Sequence, residues 1–82
     1  MRFRSSFYEH GVTEQEAYEV MAYRLWVQIC DSERGNEQVM YVGWNQTGRL
    51  LETGVELYPE GEEDWASHAR RASEFYRKQV GL

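Results

Sequence analysis

The residues that could carry chemistry in this chain are concentrated in one stretch, "HARRASEFYRK", which runs from His68 to Lys78. Residues 1–67 hold five basic and thirteen acidic side chains, whereas residues 68–82 hold four basic and one acidic. The last fifteen residues are therefore a local basic patch in a chain whose net charge is −5. That net charge argues against a general attraction to nucleic acid or anionic lipid, so any such contact must come from the patch.

A histidine among arginines is suited to cleavage of RNA without a metal. The reaction needs a base for the 2′-hydroxyl proton, an acid for the leaving 5′ oxygen and a fixed cation beside the phosphate. Arginine stays charged and presents a planar fork to phosphate oxygens, while histidine titrates near neutral pH. The predicted catalytic residues are Arg49, His68 and Arg70, and the predicted RNA-binding residues are Arg71, Arg77 and Lys78.

The same residues also fit a surface without catalysis. Surface arginines in an acidic protein often form only weak ion pairs with nearby carboxylates. A histidine in a strand is often structural. Whether the chain is an enzyme stays open at this point.

Other familiar catalytic and metal-binding patterns are absent from the sequence. It has no glycine-rich phosphate loop, no Cys-x-x-Cys, no His-Glu-x-x-His and no Gly-x-Ser-x-Gly. His10 and His68 are the only histidines, and neither has neighbours at metal-ligand spacing. We therefore expect no metal and no cofactor.

Length and composition predict one globular domain over residues 1–82. The chain is 41% hydrophobic and 15% aromatic with one proline, which is typical of a folded domain rather than a disordered one. Its single cysteine, Cys30, cannot form an internal disulfide, and no segment resembles a signal peptide, so we expect a cytoplasmic location. No apolar run approaches the ~20 residues that cross a bilayer, so we expect no membrane contact.

Local signals predict an α+β fold, with an antiparallel sheet of three to four strands and an N-terminal and a C-terminal helix packed against it. Thr13 and Glu16 have the spacing of a capping box, and Gly48 suits the left-handed position of a hairpin turn. The predicted elements are a helix over 14–23, strands over 25–30, 39–44, 49–58 and about 65–70, and a helix that Ser73 caps.

Alternation along the predicted strands assigns their faces. Leu51, Thr53, Val55 and Leu57 share one face, which we expect to be the core face, so that Glu52 and Glu56 face water. In the last strand His68 and Arg70 point the same way, together with Ala66. In the closing helix an apolar stripe is expected at Phe75, Tyr76 and Val80.

Three stretches, in order, resemble the BrnT-like toxins of bacterial toxin–antitoxin pairs, which belong to the RelE/ParE-type group of small ribonuclease folds. They are "EHGVTEQEA", "YVGWNQTGRLLETGVEL" and "HARRASEFYRK". The residues that match the family pattern are His10, Gly11, Val12, Glu16, Ala17, Gly43, Gly48, Arg49, Ala69, Arg70 and Ala72.

The resemblance implies a RelE/ParE-like sheet with packed helices, an endoribonuclease activity that halts translation, and a ribbon-helix-helix antitoxin as the cognate partner. Two alternatives remain open. The chain could be a binding module that kept the fold without catalysis, since its three tryptophans and six tyrosines suit an aromatic protein interface. It could also be a homodimer that covers the edge of a short sheet.

Overall fold

A five-stranded sheet organises the chain in a computed structural model that describes residues 1–82. The elements are β1 (Arg2–Phe3), a 3₁₀ helix (Ser5–His10), α1 (Glu14–Ala22), β2 (Arg24–Asp31), β3 (Glu37–Trp44), β4 (Leu50–Glu56), β5 (Trp65–Arg71) and α2 (Glu74–Gln79). The strand order is β1-β5-β4-β3-β2. The α+β class is confirmed, but the sheet has five strands rather than three or four and is mixed, because β1 pairs parallel with β5.

Helix α1 begins where the sequence predicts. The Thr13 hydroxyl accepts a hydrogen bond from the Glu16 N–H at 3.1 Å, and the Glu16 carboxylate accepts from the Thr13 N–H at 3.0 Å. These bonds satisfy two amides that a helix start otherwise leaves unpaired. Nine residues long, α1 is the longest helix of the structure, and no helix could span a membrane.

Helix α1 packs on β3 and β4 from one side of the sheet, and the core lies between them. The buried cluster contains Phe7, Val12, Ala17, Val20, Leu51, Val55, Ala66 and Ala69. Gly43 of β3 allows this close packing, since a Cβ there would stand 2.5 Å from the Tyr23 carbonyl oxygen and 2.8 Å from that of Val20. The sequence correctly assigned Leu51, Thr53 and Val55 to the core face, and all three are buried.

Strand β4 is buried on both faces, which corrects the prediction that Glu52 and Glu56 face water. Their exposed fractions are 4% and 1%. Glu56 is tolerated because Arg4 and Arg34 both bind its carboxylate, Arg34 at 2.9 Å. A buried carboxylate with two guanidinium partners avoids the cost of an unpaired charge.

A bulge in β5 changes which side chains share a face. Gly54 of β4 pairs with His68, but Val55 pairs with Ala66, so Ser67 is an extra residue in β5. Ala66 consequently joins Ala69 on the core face, and its predicted placement beside His68 is wrong. His68 and Arg70 do share a face, because their partners Gly54 and Glu52 lie two residues apart on β4 and so point to the same side of the sheet.

The hairpin turn and the cap of the closing helix follow their predicted signals, but the helix, predicted to pack against the sheet, fully buries none of its residues. Gly48 adopts φ of 84° in the turn before β4. The Ser73 hydroxyl caps α2, as predicted, and Lys78 pairs with Glu74 at 3.5 Å. The predicted apolar stripe is incomplete, because Tyr76 is half-buried while Phe75 remains 58% exposed.

Candidate functional site

His68 is held by a buried carboxylate. Its Nε2 lies 2.8 Å from Glu52 Oε2, and Oε1 of Glu52 accepts a hydrogen bond from the Ser73 N–H at 2.7 Å. Burial alone raises the pKa of the Glu52 carboxyl, but the hydrogen bonds from His68 and Ser73 outweigh burial and hold that pKa below its ordinary value of 4.5. Glu52 is therefore ionised at neutral pH, and it fixes the orientation of an imidazole whose side chain is 34% exposed.

The second histidine of the chain lies beside the first. The ring centroids of His10 and His68 are 6.4 Å apart, although 58 residues separate them in the sequence. His10 ends the 3₁₀ helix, and that helix is tied to β5 because the Ser6 hydroxyl donates to the Ser67 carbonyl at 2.6 Å. Sequence reasoning missed His10 as a site residue. The available signal was that the chain has only two histidines.

His68 lies on the wall of an acidic groove of about 520 Å³ on the sheet face opposite the core. The acidic groove is lined by Ser6, Glu9, Asp31, Glu33, Arg34, Gln38, Met40, Glu52, Glu56, Ser67, His68 and Tyr76. Five of these side chains are carboxylates, and Arg34 is the only arginine among them. A phosphate would be repelled from most of this groove.

A second groove, of about 620 Å³, has the opposite electrostatic character. Its lining is Trp44, Gly48, Arg49, Leu50, Arg71, Ala72, Arg77 and Leu82, and we refer to it as the arginine groove. Three separate elements contribute its guanidinium groups: the hairpin turn provides Arg49, the end of β5 provides Arg71 and α2 provides Arg77. No Asp or Glu lines it.

The arginines around this groove form no ion pair within the chain. Four of the nine Lys and Arg residues form ion pairs, namely Arg2, Arg4, Arg34 and Lys78. Arg49, Arg70, Arg71 and Arg77 form none, and we call these four the arginine cluster. All four lie where β5 leads into α2 or at the adjacent turn. In a chain with fourteen acidic residues, four neighbouring arginines without ion pairs leave positive charge available to an external anion.

The structure divides the predicted site residues between these two surfaces. Arg49, Arg71 and Arg77 meet at the arginine groove, whereas His68 lines the acidic groove. Arg70 lines neither; it lies next to His68 on the same sheet face, opposite Glu52 of β4, and its Nε donates to the Arg71 carbonyl at 3.3 Å. Lys78 is exposed and paired with Glu74.

Together these residues offer two imidazoles, one of them fixed by a carboxylate, with Arg70 on the same sheet face and three more unpaired guanidinium groups at the arginine groove. That combination can transfer protons and stabilise negative charge on a phosphate ester. The structure contains no group of three or more His, Cys, Asp or Glu side chains arranged to hold a metal ion. Comparison of the chain with protein families, curated proteins and solved structures finds no match.

Proposed function

We propose that this chain is a BrnT-like toxin with the RelE/ParE-type fold, a metal-independent endoribonuclease that cuts RNA in the cytoplasm and inhibits translation. The observation that carries the proposal is the meeting of the chain's only two histidines, 6.4 Å apart, on the sheet face that also carries Arg70. Proton donors and acceptors from distant parts of the chain converge there. The cognate partner that we propose is a ribbon-helix-helix antitoxin.

His68 is the general base in this proposal. Glu52 occupies its Nε2, which leaves Nδ1 to take the 2′-hydroxyl proton. The ionised carboxylate stabilises the imidazolium that results, as the buried carboxylate does in serine protease triads. His10 then acts as the acid that protonates the leaving 5′ oxygen.

The arginine cluster supplies the electrostatic part of the mechanism. Arg70, on the sheet face of His68, stabilises the charge that develops on the scissile phosphate. Arg49, Arg71 and Arg77 hold neighbouring phosphates of the RNA backbone. Because the acidic groove repels phosphate, the RNA reaches the histidines from the side of α2 and the hairpin turn.

The test compares cleavage and binding of a fluorescently labelled RNA, in EDTA, by the intact protein and its variants. His10→Ala and His68→Ala should each lower the cleavage rate by roughly 10²–10⁴-fold, the usual contribution of a general acid or base, and leave RNA binding nearly unchanged. Arg49→Ala should weaken binding and reduce its dependence on salt. Arg2→Ala is the matched control, because that side chain pairs with Glu63 and lies outside both grooves.

Cleavage that persists in both histidine variants would refute the mechanism. A wild-type protein that binds RNA without cutting it would instead identify the second candidate, a BrnT-like binding module without catalysis. One observation favours this second candidate: Arg49 and His68 line different grooves, so the predicted catalytic set does not converge on one phosphate. Both candidate functions use the arginine groove to bind RNA, and they differ in whether the protein cleaves that RNA.

A further inference from the structure

Strand β2 is a long sheet edge with no partner in the chain. It has eight residues and pairs only with β3, whereas the opposite edge, β1, has two residues. Apart from the ladder with β3, no backbone hydrogen bond involves residues 24–31. Long unpaired edges are templates for pairing with another strand, and proteins usually shorten or cover them.

The core-face side chains of this edge strand are apolar and exposed, as is typical of a protein–protein interface. Val27 and Ile29 pair with Tyr41 and Val39 of β3, on the core face of the sheet, yet they remain 45% and 67% exposed. Helix α1 covers β3 and β4 on that face and stops short of β2. Two β-branched apolar side chains are thus exposed beside a free strand edge.

We propose that β2 pairs antiparallel with β2 of a second copy of this chain, around a two-fold axis at Gln28, to form a continuous ten-stranded sheet. Residues equidistant from such an axis face each other, and the paired side chains lie on the same face. Val27 then lies opposite Ile29 of the second copy on one face, and Trp26 lies opposite Cys30 on the other. Each exposed apolar residue gains an apolar neighbour.

The charges at the two ends of β2 support this register. Arg24 pairs with Gly43 and Trp26 with Val42, so a bulge at Leu25 brings Arg24 to the sheet position next to Trp26. In the proposed dimer Arg24 consequently lies opposite Asp31 of the second copy, and the pair occurs twice.

Asp31 also forms no ion pair within its own chain. Asp31 lies directly opposite Glu37 of β3 in the ladder, and neither carboxylate forms an ion pair. Like charges in this position are unfavourable. An arginine from the second copy would remove that repulsion. Charge complementarity therefore selects a second copy as the occupant of this edge.

The mass of the protein in solution tests the proposal. Light scattering coupled to size exclusion should show a rise from 9.8 kDa to twice that mass as the protein concentration increases. Ile29→Lys should remain monomeric at all concentrations, since two lysines would enter the interface. Phe75→Lys removes a similarly exposed apolar side chain from α2 and should dimerise like the wild type.

Charge exchange tests the register itself. Arg24→Asp places a second carboxylate opposite Asp31 of the other copy, and Asp31→Arg places two arginines opposite each other, so each variant alone should be mostly monomeric. In an equimolar mixture, a dimer with one copy of each variant has two carboxylates of the first copy facing two arginines of the second. Opposite charges then meet at both ends of the strand pair, and the mixture should dimerise. A wild-type mass that stays at 9.8 kDa, or a mixture no heavier than its components, would overturn the proposal.

A cross-link provides an independent measurement. Gln28→Cys in a Cys30→Ala background places two thiols at the axis, within the Cα separation of about 4.4–6.8 Å that a disulfide needs. It should oxidise rapidly to a covalent dimer. The wild-type protein, whose Cys30 lies opposite Trp26 and far from the other Cys30, should not cross-link. Equal cross-linking of the two proteins would contradict the register.

Discussion

Replacement of Glu52 by Gln tests the central structural claim about the site. The Glu52 carboxylate accepts from His68 and from the Ser73 N–H, and its side chain is 5% exposed. The two donors bind different carboxylate oxygens, and Gln keeps an acceptor oxygen at only one of these two positions and carries no charge. A hydrogen bond to a charged group contributes about 1.5–3 kcal/mol, so we expect the free energy of unfolding to fall by about 2 kcal/mol at pH 7. For a domain of this size that corresponds to a loss of roughly 8–16 °C in Tm.

The pH dependence of this loss has a definite sign. The pKa of Glu52 in the folded protein lies below its ordinary value of 4.5, so the ionised carboxylate stabilises the fold at pH values above 4.5. That stabilisation disappears as the pH falls through the folded-state pKa. The stability difference between the wild type and Glu52→Gln should therefore be present above pH 4.5 and should shrink as the pH falls below it.

Urea unfolding followed by circular dichroism at pH 7, 5, 4 and 3 measures this difference. Glu63→Gln is the control, because Glu63 lies in an exposed pair, 3.8 Å from Arg2, and should change stability little at any pH. A Glu52→Gln variant as stable as the wild type at pH 7, or a difference that stays constant down to pH 3, would refute the reasoning.

Two further substitutions test how α1 is positioned on the sheet. Gly43→Ala should destabilise by about 2–3 kcal/mol in urea unfolding, because the new Cβ meets backbone oxygens at 2.5 and 2.8 Å, whereas Gly54→Ala meets only flexible side chains and should cost less. Equal losses would contradict this account. Thr13→Ala should lower stability by about 1 kcal/mol through loss of the helix cap, and Thr13→Ser should restore most of it; a fully stable Thr13→Ala would show that the cap contributes nothing.

The elements that sequence patterns predicted correctly are those set by local interactions. The capping box at Thr13 and the turn at Gly48 depend on residues within a few positions of each other. The burial of Glu56 could not be predicted in this way, because one of its partners, Arg4, lies 52 residues away. Strand β1 was missed for a related reason, since two residues carry no periodicity and pair with a strand from the other end of the chain.

Only some of the site residues could be predicted from the distribution of charge along the sequence. The contrast in charge between residues 1–67 and 68–82 points to three members of the arginine cluster, Arg70, Arg71 and Arg77, but not to Arg49. The grouping of Arg49 and Arg71 with Arg77 depends on where α2 begins after β5, which the alternation of side chains along a strand does not predict. His10 joins His68 only because the 3₁₀ helix bonds to β5, which is a contact between distant segments.

The position of β5 in the sheet has a consequence for biosynthesis. It is the last strand to be synthesised, yet it lies between the first strand and β4. A growing chain that has not reached residue 65 leaves β1 without a neighbour and Glu52 without its imidazole. The histidine pair can form only after residue 68 has emerged from the ribosome, so a nascent or truncated product that ends before His68 would lack the pair.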